Sequence, residues 1–188
     1  MISIITAVHN CLSHNEIFLE SLKKYTYFPY ELIVIDNDST DGSYELFKRN
    51  ECKIIRNQKN LCYPESINLG LAHARGDFIC FLNNDVFCGL SWDKYLIDGM
   101  MMYNLDIVSP CGIERMPSLP LTHLFSKRWR RLGEKRHLGA SSDGLRRLLI
   151  SMYGDWQKFC NTVFKMYYPQ IMEGIVGNCV FLKRKVLE

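Results

Sequence analysis

The amino-acid sequence predicts an α/β fold in which a mostly parallel sheet is flanked by helices within a single domain. Three observations support this prediction. Short apolar runs rich in β-branched residues alternate with segments of helical spacing over residues 1–86. Polar clusters follow three of these runs, and the carboxyl ends of parallel strands meet at one edge of a sheet. The 188 residues are 47% hydrophobic, which is sufficient for one core.

The first half of the chain alternates between strand and helix patterns. Four short apolar runs predict strands, at residues 3–8, 31–35, 53–56 and 78–82. Three intervening segments with helical spacing predict helices, at residues 15–25, 44–50 and 65–74. Because a helix follows each of the first three strands, we expect parallel strands joined by crossover connections.

The second half of the chain is less regular. Residues 92–103 predict a helix, residues 107–110 predict a short strand, and residues 175–182 are typical of a strand or another buried segment. Between residues 113 and 170 we expect helices interrupted by loops, because prolines and a basic block break up the apolar pattern.

The polar cluster after residues 78–82 is Asn83-Asn84-Asp85. A carboxylate next to two amides at the end of a parallel strand could hold a divalent cation, which in turn would hold phosphate oxygens. Mg²⁺ prefers one or two carboxylates plus substrate phosphates over a site built from protein ligands alone. The competing interpretation is an ordinary Asx-rich turn after a strand.

Two further strand ends are polar, His9-Asn10 after the first strand and residues 36–43 after the second. Acidic strand ends that face one cleft suit a nucleotide, because an Asp can accept hydrogen bonds from a base N–H or from ribose hydroxyls. The sequence has neither a GxGxxG nor a GxxxxGK[ST] phosphate loop. A diphosphate would therefore be held by a metal ion and by Arg75, which precedes the strand predicted at residues 78–82.

Composition limits the compartment and the partners. The eight cysteines form no CxxC pair, which favours free thiols in a reducing compartment over disulfides or a zinc site. No apolar run approaches the roughly 18 residues that span a bilayer, and residues 1–5 lack a basic leader, so we expect a cytoplasmic protein. Residues 127–147 form a basic block with eight Lys/Arg and two acids. Such a block is either a solvated face or a peripheral contact with phosphate or an anionic membrane.

These residues resemble family 2 glycosyltransferases of the GT-A fold, a Rossmann-like fold, and rhamnosyltransferase-like members are the most similar. Four blocks in the first half carry the resemblance, at residues 3–10, 31–43, 60–68 and 74–85. The stretches VIDNDSTDGS and ARGDFICFLNND are its most specific parts. Residues 174–187 look like the family's later, glycine-bearing segment at the acceptor site.

The resemblance implies an inverting transfer of a hexosyl or deoxyhexosyl group from a UDP- or dTDP-linked sugar, usually with Mn²⁺ or Mg²⁺. The acceptor would be a hydroxyl of a glycan, protein-linked or lipid-linked. Within one domain, residues 1–112 would form the nucleotide-sugar-binding half and residues 113–188 the acceptor-side half. Asp85 would be the metal ligand. The substrates would contact Thr6, Ala7, Val8, His9, Asn10, Asp36, Asp38, Asn68, Arg75, Asn83, Asn84, Gly177 and Asn178.

The sequence departs from the family pattern at two important points. Asn83 stands where the family has the first Asp of its DxD motif, which leaves one carboxylate. The family's catalytic base usually lies in an acidic pair after the glycine-bearing segment, and the chain ends at Glu188 before such a pair. We therefore expect a part of a longer protein. Within the chain, Asp155 and Glu173 are candidate bases, and Glu173 is better placed, although a surface acid is the competing interpretation.

Three other functions remain open. A sugar-phosphate nucleotidyltransferase is disfavoured, because that class has a Gly-rich, Arg-containing loop where this chain has Val8-His9-Asn10-Cys11. A non-catalytic nucleotide-sugar-binding module, or a truncated domain that lacks its general base, is compatible with the single carboxylate of the motif. Nucleic-acid binding through the basic block is disfavoured by a net charge of only +3 and by the lack of a matching motif.

Overall fold

The computed structural model describes residues 1–112, 116, 118–136, 141–168 and 170–187, and of residues 133–136 it describes the backbone alone. Its strands are β1 (Ile2–Val8), β2 (Tyr30–Asn37), β3 (Lys53–Asn57), β4 (Phe78–Leu82), β5 (Ile107–Val108) and β6 (Cys179–Lys183). Its α-helices are α1 (Leu12–Tyr25), α2 (Ser43–Arg49), α3 (Tyr63–Leu71), α4 (Trp92–Met102), α5 (Leu119–Arg136), α6 (Ser142–Tyr153) and α7 (Trp156–Tyr167). A short 3₁₀ turn, Arg184–Val186, follows β6.

The strands form one six-stranded sheet in the order β3-β2-β1-β4-β6-β5. Strand β1 pairs in parallel with both β2 and β4, and β2 pairs in parallel with β3. Strand β6 runs antiparallel to its neighbours β4 and β5. This confirms the predicted α/β fold with a mostly parallel sheet. Strands β2 and β3 lie on one side of β1, and β4 lies on the other side. The topological switch point is therefore between β1 and β4.

Helices cover both faces of the sheet. Successive strand residues point to opposite faces, and Ile4 and Ile5 accordingly belong to different core clusters. The cluster of Ile4 contains buried residues of α1, α2 and α4, including Phe18, Phe47 and Met100. The cluster of Ile5 is closed by α3 through Ile67.

The helices α5, α6 and α7 fill the interval in which the sequence predicted interrupted helices. Helix α6 is attached to α1 by an ion pair between Arg146 and Glu20 at 2.8 Å. Buried Leu148 and Met152 of α6 pack with Phe125, Trp129 and Leu132 of α5. No helix in the described part of the chain is both long and apolar enough to cross a membrane. All eight cysteines fall in that part, and all are free.

Several element boundaries differ from the predicted ones for local reasons. Helix α1 begins at Leu12 because Asn10 and Cys11 adopt left-handed conformations with φ of 59° and 66° directly before it. Strand β6 begins only at Cys179, because the backbone N–H of Val176 donates to the Ser109 hydroxyl instead of joining the ladder. The chain end at Glu188 and residues 137–140 of the basic block lie outside the described residues.

Candidate functional site

An opening at the carboxyl edge of the sheet lies between β1 and β4. The pairing of these strands stops at Ile5 and Phe81, whereas β1 continues to Val8 with β2 alone as its partner. The two strands therefore separate at the topological switch point, where open α/β sheets bind ligands. The polar clusters predicted after β1, β2 and β4 all lie at this edge.

The polar end of β4 is anchored at two points. The backbone N–H of Asn83 donates to the carbonyl oxygen of Asn178 at 3.0 Å, so the structure brings these two predicted residues together. The side-chain nitrogen of Asn84 donates to Asn15 Oδ1 at 2.7 Å. Asp85 is exposed directly after them. The anchored asparagines thus present one carboxylate at the edge.

The loops after β1 and β2 are bound to each other. Asn10 Oδ1 accepts a hydrogen bond from the backbone N–H of Thr40 at 2.8 Å, and the Asn10 N–H donates to Ser39 Oγ at 2.9 Å. His9 Nδ1 lies 2.6 Å from the carbonyl oxygen of Asn37, to which it donates. These contacts hold the left-handed backbone at Asn10 in place and fix the β1 side of the opening.

Asn15 joins the three polar strand ends, and the sequence reasoning missed it. This fully buried side chain donates from Nδ2 to the Asn10 carbonyl oxygen at 2.9 Å and to Ser43 Oγ at 2.8 Å, while its Oδ1 accepts from Asn84. A signal was present, because Asn15 precedes Phe18 and Leu22 at helical spacing on the apolar face of the predicted helix.

Asp41 links the N-termini of α1 and α2. Its Oδ2 accepts from the Leu12 N–H at 2.8 Å, and its Oδ1 accepts from the Ser43 hydroxyl at 2.6 Å and the Ser43 N–H at 3.1 Å. Partial burial raises the pKa of Asp41, but these hydrogen bonds outweigh it, so the net shift of the pKa is downward. The ionised carboxylate thus satisfies donors at two helix starts.

Asp36, which the resemblance assigns to the base, lies inside the protein with 1% exposure. Its Oδ1 accepts from the Ser39 N–H at 3.3 Å, and its Oδ2 forms an ion pair with Arg56 Nε at 3.3 Å. The Oδ2 atom has no aligned hydrogen bond among the described residues. The Arg56 guanidinium lies 4.5 Å from the ring centre of Tyr44 and donates to the Ser39 carbonyl oxygen. A base would reach Asp36 only if these neighbours moved.

The other predicted binding residues of the first half differ in accessibility. Thr6 and Val8 are buried in β1, Ala7 is half-buried, and among the described residues Thr6 Oγ1 has no hydrogen-bond partner. Asp38 is exposed in the turn after β2, with φ of 61°. Asn68 is exposed on α3.

On the acceptor side, exposed Gly177 and half-buried Asn178 directly precede β6. Glu173 is exposed in the same segment.

The position of Arg75 corrects an expectation. Its backbone N–H donates to Ser3 Oγ at 3.0 Å and to Glu31 Oε1 at 2.7 Å, near the first residues of β1 and β2. Arg75 therefore lies at the amino edge of the sheet, because it precedes β4, whereas Asp85 follows it. The five residues of β4 span roughly 17 Å, which exceeds the reach of an arginine side chain. Arg75 does not contact a diphosphate at the carboxyl edge.

The residues at the end of β4 fit a divalent cation only in part. The described residues contain no group of three or more His, Cys, Asp or Glu side chains that could hold a metal ion. Asp85 offers a carboxylate, and Asn84 keeps its Oδ1 available, since its nitrogen is used in the bond to Asn15. One carboxylate and one amide oxygen suffice for a hard cation that also takes substrate phosphates as ligands.

A basic depression of about 550 Å³ lies beside the end of β3. It is lined by Arg56, Asn57, Gln58, Lys59 and Leu61. Arg56 is already paired with Asp36 at the end of β2, so Lys59 is the other cation of this lining that an anionic ligand could contact.

Comparisons with known proteins agree with the α/β fold described above. A family model described as "Glycosyl transferase family 2" matches residues 3–188. The "Putative glycosyltransferase EpsE" of Bacillus subtilis (strain 168) is 32% identical over 146 residues, which cover 67% of this chain and 51% of EpsE. The "UDP-Glc:alpha-D-GlcNAc-diphosphoundecaprenol beta-1,3-glucosyltransferase WfaP" of Escherichia coli is 32% identical over 88 residues, 45% of this chain and 35% of WfaP.

A solved structure of S. aureus TarS 1-349 in complex with UDP matches with a TM-score of 0.52 at 25% identity, over 57% of this chain and 34% of the TarS 1-349 chain. The chain therefore spans about half the length of EpsE and a smaller part of the other two.

Proposed function

The chain belongs to glycosyl transferase family 2, and from this membership we propose that it is an inverting glycosyltransferase domain that moves a sugar from a nucleotide-diphospho-sugar to a glycan or glycoconjugate hydroxyl. One observation carries the proposal: the polar ends of β1, β2 and β4 meet at the switch point between β1 and β4. UDP bound to TarS and the UDP-Glc in the name of WfaP support a UDP-linked donor, with dTDP as the other expected nucleotide.

The donor would lie along this edge with its nucleoside towards β2 and β3. His9, Asn10 and Asp38 present polar groups there, and the basic depression beside β3 adds positive charge. The separated part of β1 leaves one backbone edge of residues 6–8 without β4 as a partner, so Thr6, Ala7 and Val8 would contribute backbone atoms. Asn68 on α3 completes the proposed donor residues. Arg75 is left out of the proposed donor residues, because it lies at the amino edge of the sheet.

A divalent cation, Mn²⁺ or Mg²⁺, would be held by Asp85 and the amide oxygens of Asn83 and Asn84. When bound, such a cation stabilises the negative charge that develops on the leaving diphosphate. Since only one carboxylate is present, metal binding should depend on the diphosphate as a second source of oxygen ligands.

The acceptor would approach from the segment that contains Glu173, Gly177 and Asn178. Its hydroxyl would attack the anomeric carbon while Glu173 accepts the proton. Glu173 is exposed in this segment, and Asn178 is bonded to the backbone of Asn83. The name of WfaP contains a lipid-linked acceptor, which supports that acceptor class beside glycan and protein-linked ones. A rhamnosyl donor and a cytoplasmic location remain predictions.

Thermal denaturation with UDP, dTDP and their sugars, each with and without Mn²⁺, tests the proposal. A ligand at 100 times its dissociation constant stabilises by about 2.7 kcal/mol, or roughly 5–11 °C for a domain of this size. The shift should require metal and disappear in Asp85→Ala, but remain in Glu45→Gln, which removes an exposed carboxylate from α2. No shift with any nucleotide would contradict the proposed donor site.

Transfer assays then distinguish an enzyme from a binding module. The single carboxylate at Asp85 favours the non-catalytic alternative as a second candidate. Metal-dependent nucleotide binding without release of nucleoside diphosphate from any donor would support that alternative. If turnover is observed, Glu173→Gln should lower kcat without changing nucleotide binding, and unchanged kcat would exclude Glu173 as the base.

A further inference from the structure

Helix α5 packs against the protein with one side only. Its inward side chains are Phe125, Trp129 and Leu132, which contact the α6 cluster. Its opposite side carries two large apolar residues that are mostly exposed, Leu119 at 73% and Leu124 at 58%. Two exposed leucines do not by themselves form a contiguous apolar patch, so the neighbouring charges decide which partner this side of the helix could contact.

Three exposed cations share the outward side of α5 with these leucines. Residues 119–136 contain six Lys/Arg and one acid, Glu134, so the helix carries a formal charge of +5. Arg128 donates to the carbonyl oxygen of Ser151 at 2.7 Å. Lys127, Arg130 and Arg131 are exposed and form no hydrogen bond or ion pair with any other residue in the described part of the chain. Their charges are therefore available to an external anion.

The apolar and basic side chains belong to one helix face. Viewed down the helix axis, successive side chains of an α-helix are 100° apart. In this view Lys127 lies between Leu119 and Leu124, and Arg130 and Arg131 lie on either side of Lys127. Arg146 of α6 shows the contrasting situation, because Glu20 and Asp143 neutralise it. The α5 outer face, formed by Leu119, Leu124, Lys127, Arg130 and Arg131, thus combines two exposed leucines with three cations that have no ion pair among the described residues.

We propose that the α5 outer face binds the surface of a bilayer that contains anionic lipids. An interfacial helix places its cations at the headgroups and its apolar side chains at the boundary with the acyl chains. Each cation near an anionic leaflet strengthens binding roughly fivefold, and the two leucines add apolar contact. A nucleic-acid duplex would use the cations but would leave both leucines in water, so the composition of the face favours a membrane.

The proposal does not rest on sugar transfer, because vesicle binding needs no nucleotide. Cosedimentation of the full chain with phosphatidylcholine vesicles, with and without phosphatidylglycerol, measures it directly. Binding is expected only with the anionic lipid and should fall between about 0.05 M and about 0.5 M salt. The triple variant Lys127→Gln, Arg130→Gln, Arg131→Gln should bind roughly 100-fold more weakly, and Leu119→Ser with Leu124→Ser should also lose affinity.

A matched control removes the same charge from α1 and α2, with Lys24→Gln, Lys48→Gln and Arg49→Gln, all at exposed positions. This variant should bind vesicles like the parent chain, and unchanged melting temperatures would show that all variants fold. The proposal is overturned if the parent chain binds no vesicle or if the α5 triple variant binds as the parent does. It is also overturned if the leucine variant keeps full affinity while the parent binds duplex DNA equally well.

Discussion

The side-chain nitrogen of Asn84 donates a hydrogen bond to Oδ1 of Asn15 at 2.7 Å. This contact ties the turn after β4 to α1, and Asn15 in turn donates to Asn10 in the loop after β1 and to Ser43 at the start of α2. One buried amide therefore sets the relative positions of the three polar strand ends. The shape of the candidate site depends on a residue that would not itself contact a ligand.

Replacing Asn15 by leucine should destabilise the fold strongly. The two side chains have similar size, but leucine leaves the Asn10 carbonyl oxygen, the Ser43 hydroxyl and the Asn84 amide without this partner. At roughly 1 kcal/mol for each group, the expected loss is about 3 kcal/mol, measured as a lower free energy of unfolding in urea. Asn161→Leu, the same change at an exposed position of α7, should alter stability by less than about 0.5 kcal/mol. Equal effects at both positions would show that Asn15 does not organise the site.

The ion pair between Asp36 and Arg56 should respond differently to removal of each partner. Arg56→Gln leaves the carboxylate of Asp36 without its cation, and this carboxylate is only 1% exposed. The variant should therefore lower the free energy of unfolding by roughly 3 kcal/mol. Asp36→Asn removes the buried charge, and the guanidinium of Arg56 stays hydrated because its side chain is 42% exposed. This variant should lower the free energy of unfolding by only about 1 kcal/mol.

The double variant completes a thermodynamic cycle for this pair. It should be more stable than Arg56→Gln alone, because the buried charge is then gone. Lys94→Gln, which breaks an ion pair with Asp98 at the surface, should leave the free energy of unfolding almost unchanged. A double variant less stable than Arg56→Gln would mean that the carboxylate of Asp36 is not the source of the cost.

Asp41 should contribute stability that depends on pH. Its pKa is lowered below the ordinary value of 3.8, so the folded state favours the ionised form. The contribution is therefore fully present above the unfolded-state pKa and is lost as the pH falls through the lower, folded-state pKa. Asp41→Ala, which removes caps from α1 and α2, should cost about 2 kcal/mol at neutral pH.

Urea denaturation of Asp41→Ala and the parent chain over a pH series checks this expectation. The difference between their free energies of unfolding should shrink below pH 3.8 as Asp41 becomes protonated. Glu45→Gln serves as a control for an exposed acid in the first turn of α2. A difference that stays constant across this range would show that the contribution of Asp41 does not come from its ionised form.

The sequence allowed the fold to be predicted and a location for the candidate site to be proposed, because both follow from local patterns. The run at residues 78–82 ends abruptly in Asn83, and the alternation of strands and helices identifies the edge at which such ends meet. Asn15 could not be assigned its partners in this way, because Asn84 lies 69 positions away in the chain.

Two site residues show how adjacency in sequence misleads. Arg75 lies close to the motif in the chain, yet the length of β4 separates it from Asp85. Asp36 follows the apolar part of β2 and was expected in the cleft, but Ser39 and Arg56 enclose it. The place of Arg75 follows from the direction of β4, which the sequence already predicted. The enclosure of Asp36 depends instead on tertiary packing around the strand end, which neither spacing nor residue type encodes.

Gly76 should tolerate no side chain, although its position is far from the candidate site. A Cβ at Gly76 would lie 2.5 Å from the backbone nitrogen of Ser3 and 2.8 Å from the carbonyl oxygen of Met1. The Gly76 N–H also donates to Ser3 Oγ at 2.7 Å, so β4 enters the sheet in direct backbone contact with β1. Because both of these neighbours are backbone atoms, Gly76→Ala should lower the free energy of unfolding by about 3 kcal/mol.

Gly99 in α4 provides the matched comparison, because a Cβ there would meet nothing within 4 Å. Gly99→Ala should stabilise the protein by about 1 kcal/mol through the higher helix propensity of alanine. The two variants thus make the same chemical change with opposite expected signs, read from midpoints of urea denaturation. If Gly76→Ala were as stable as the parent chain, β1 and the start of β4 would not be in the close contact that the structure shows.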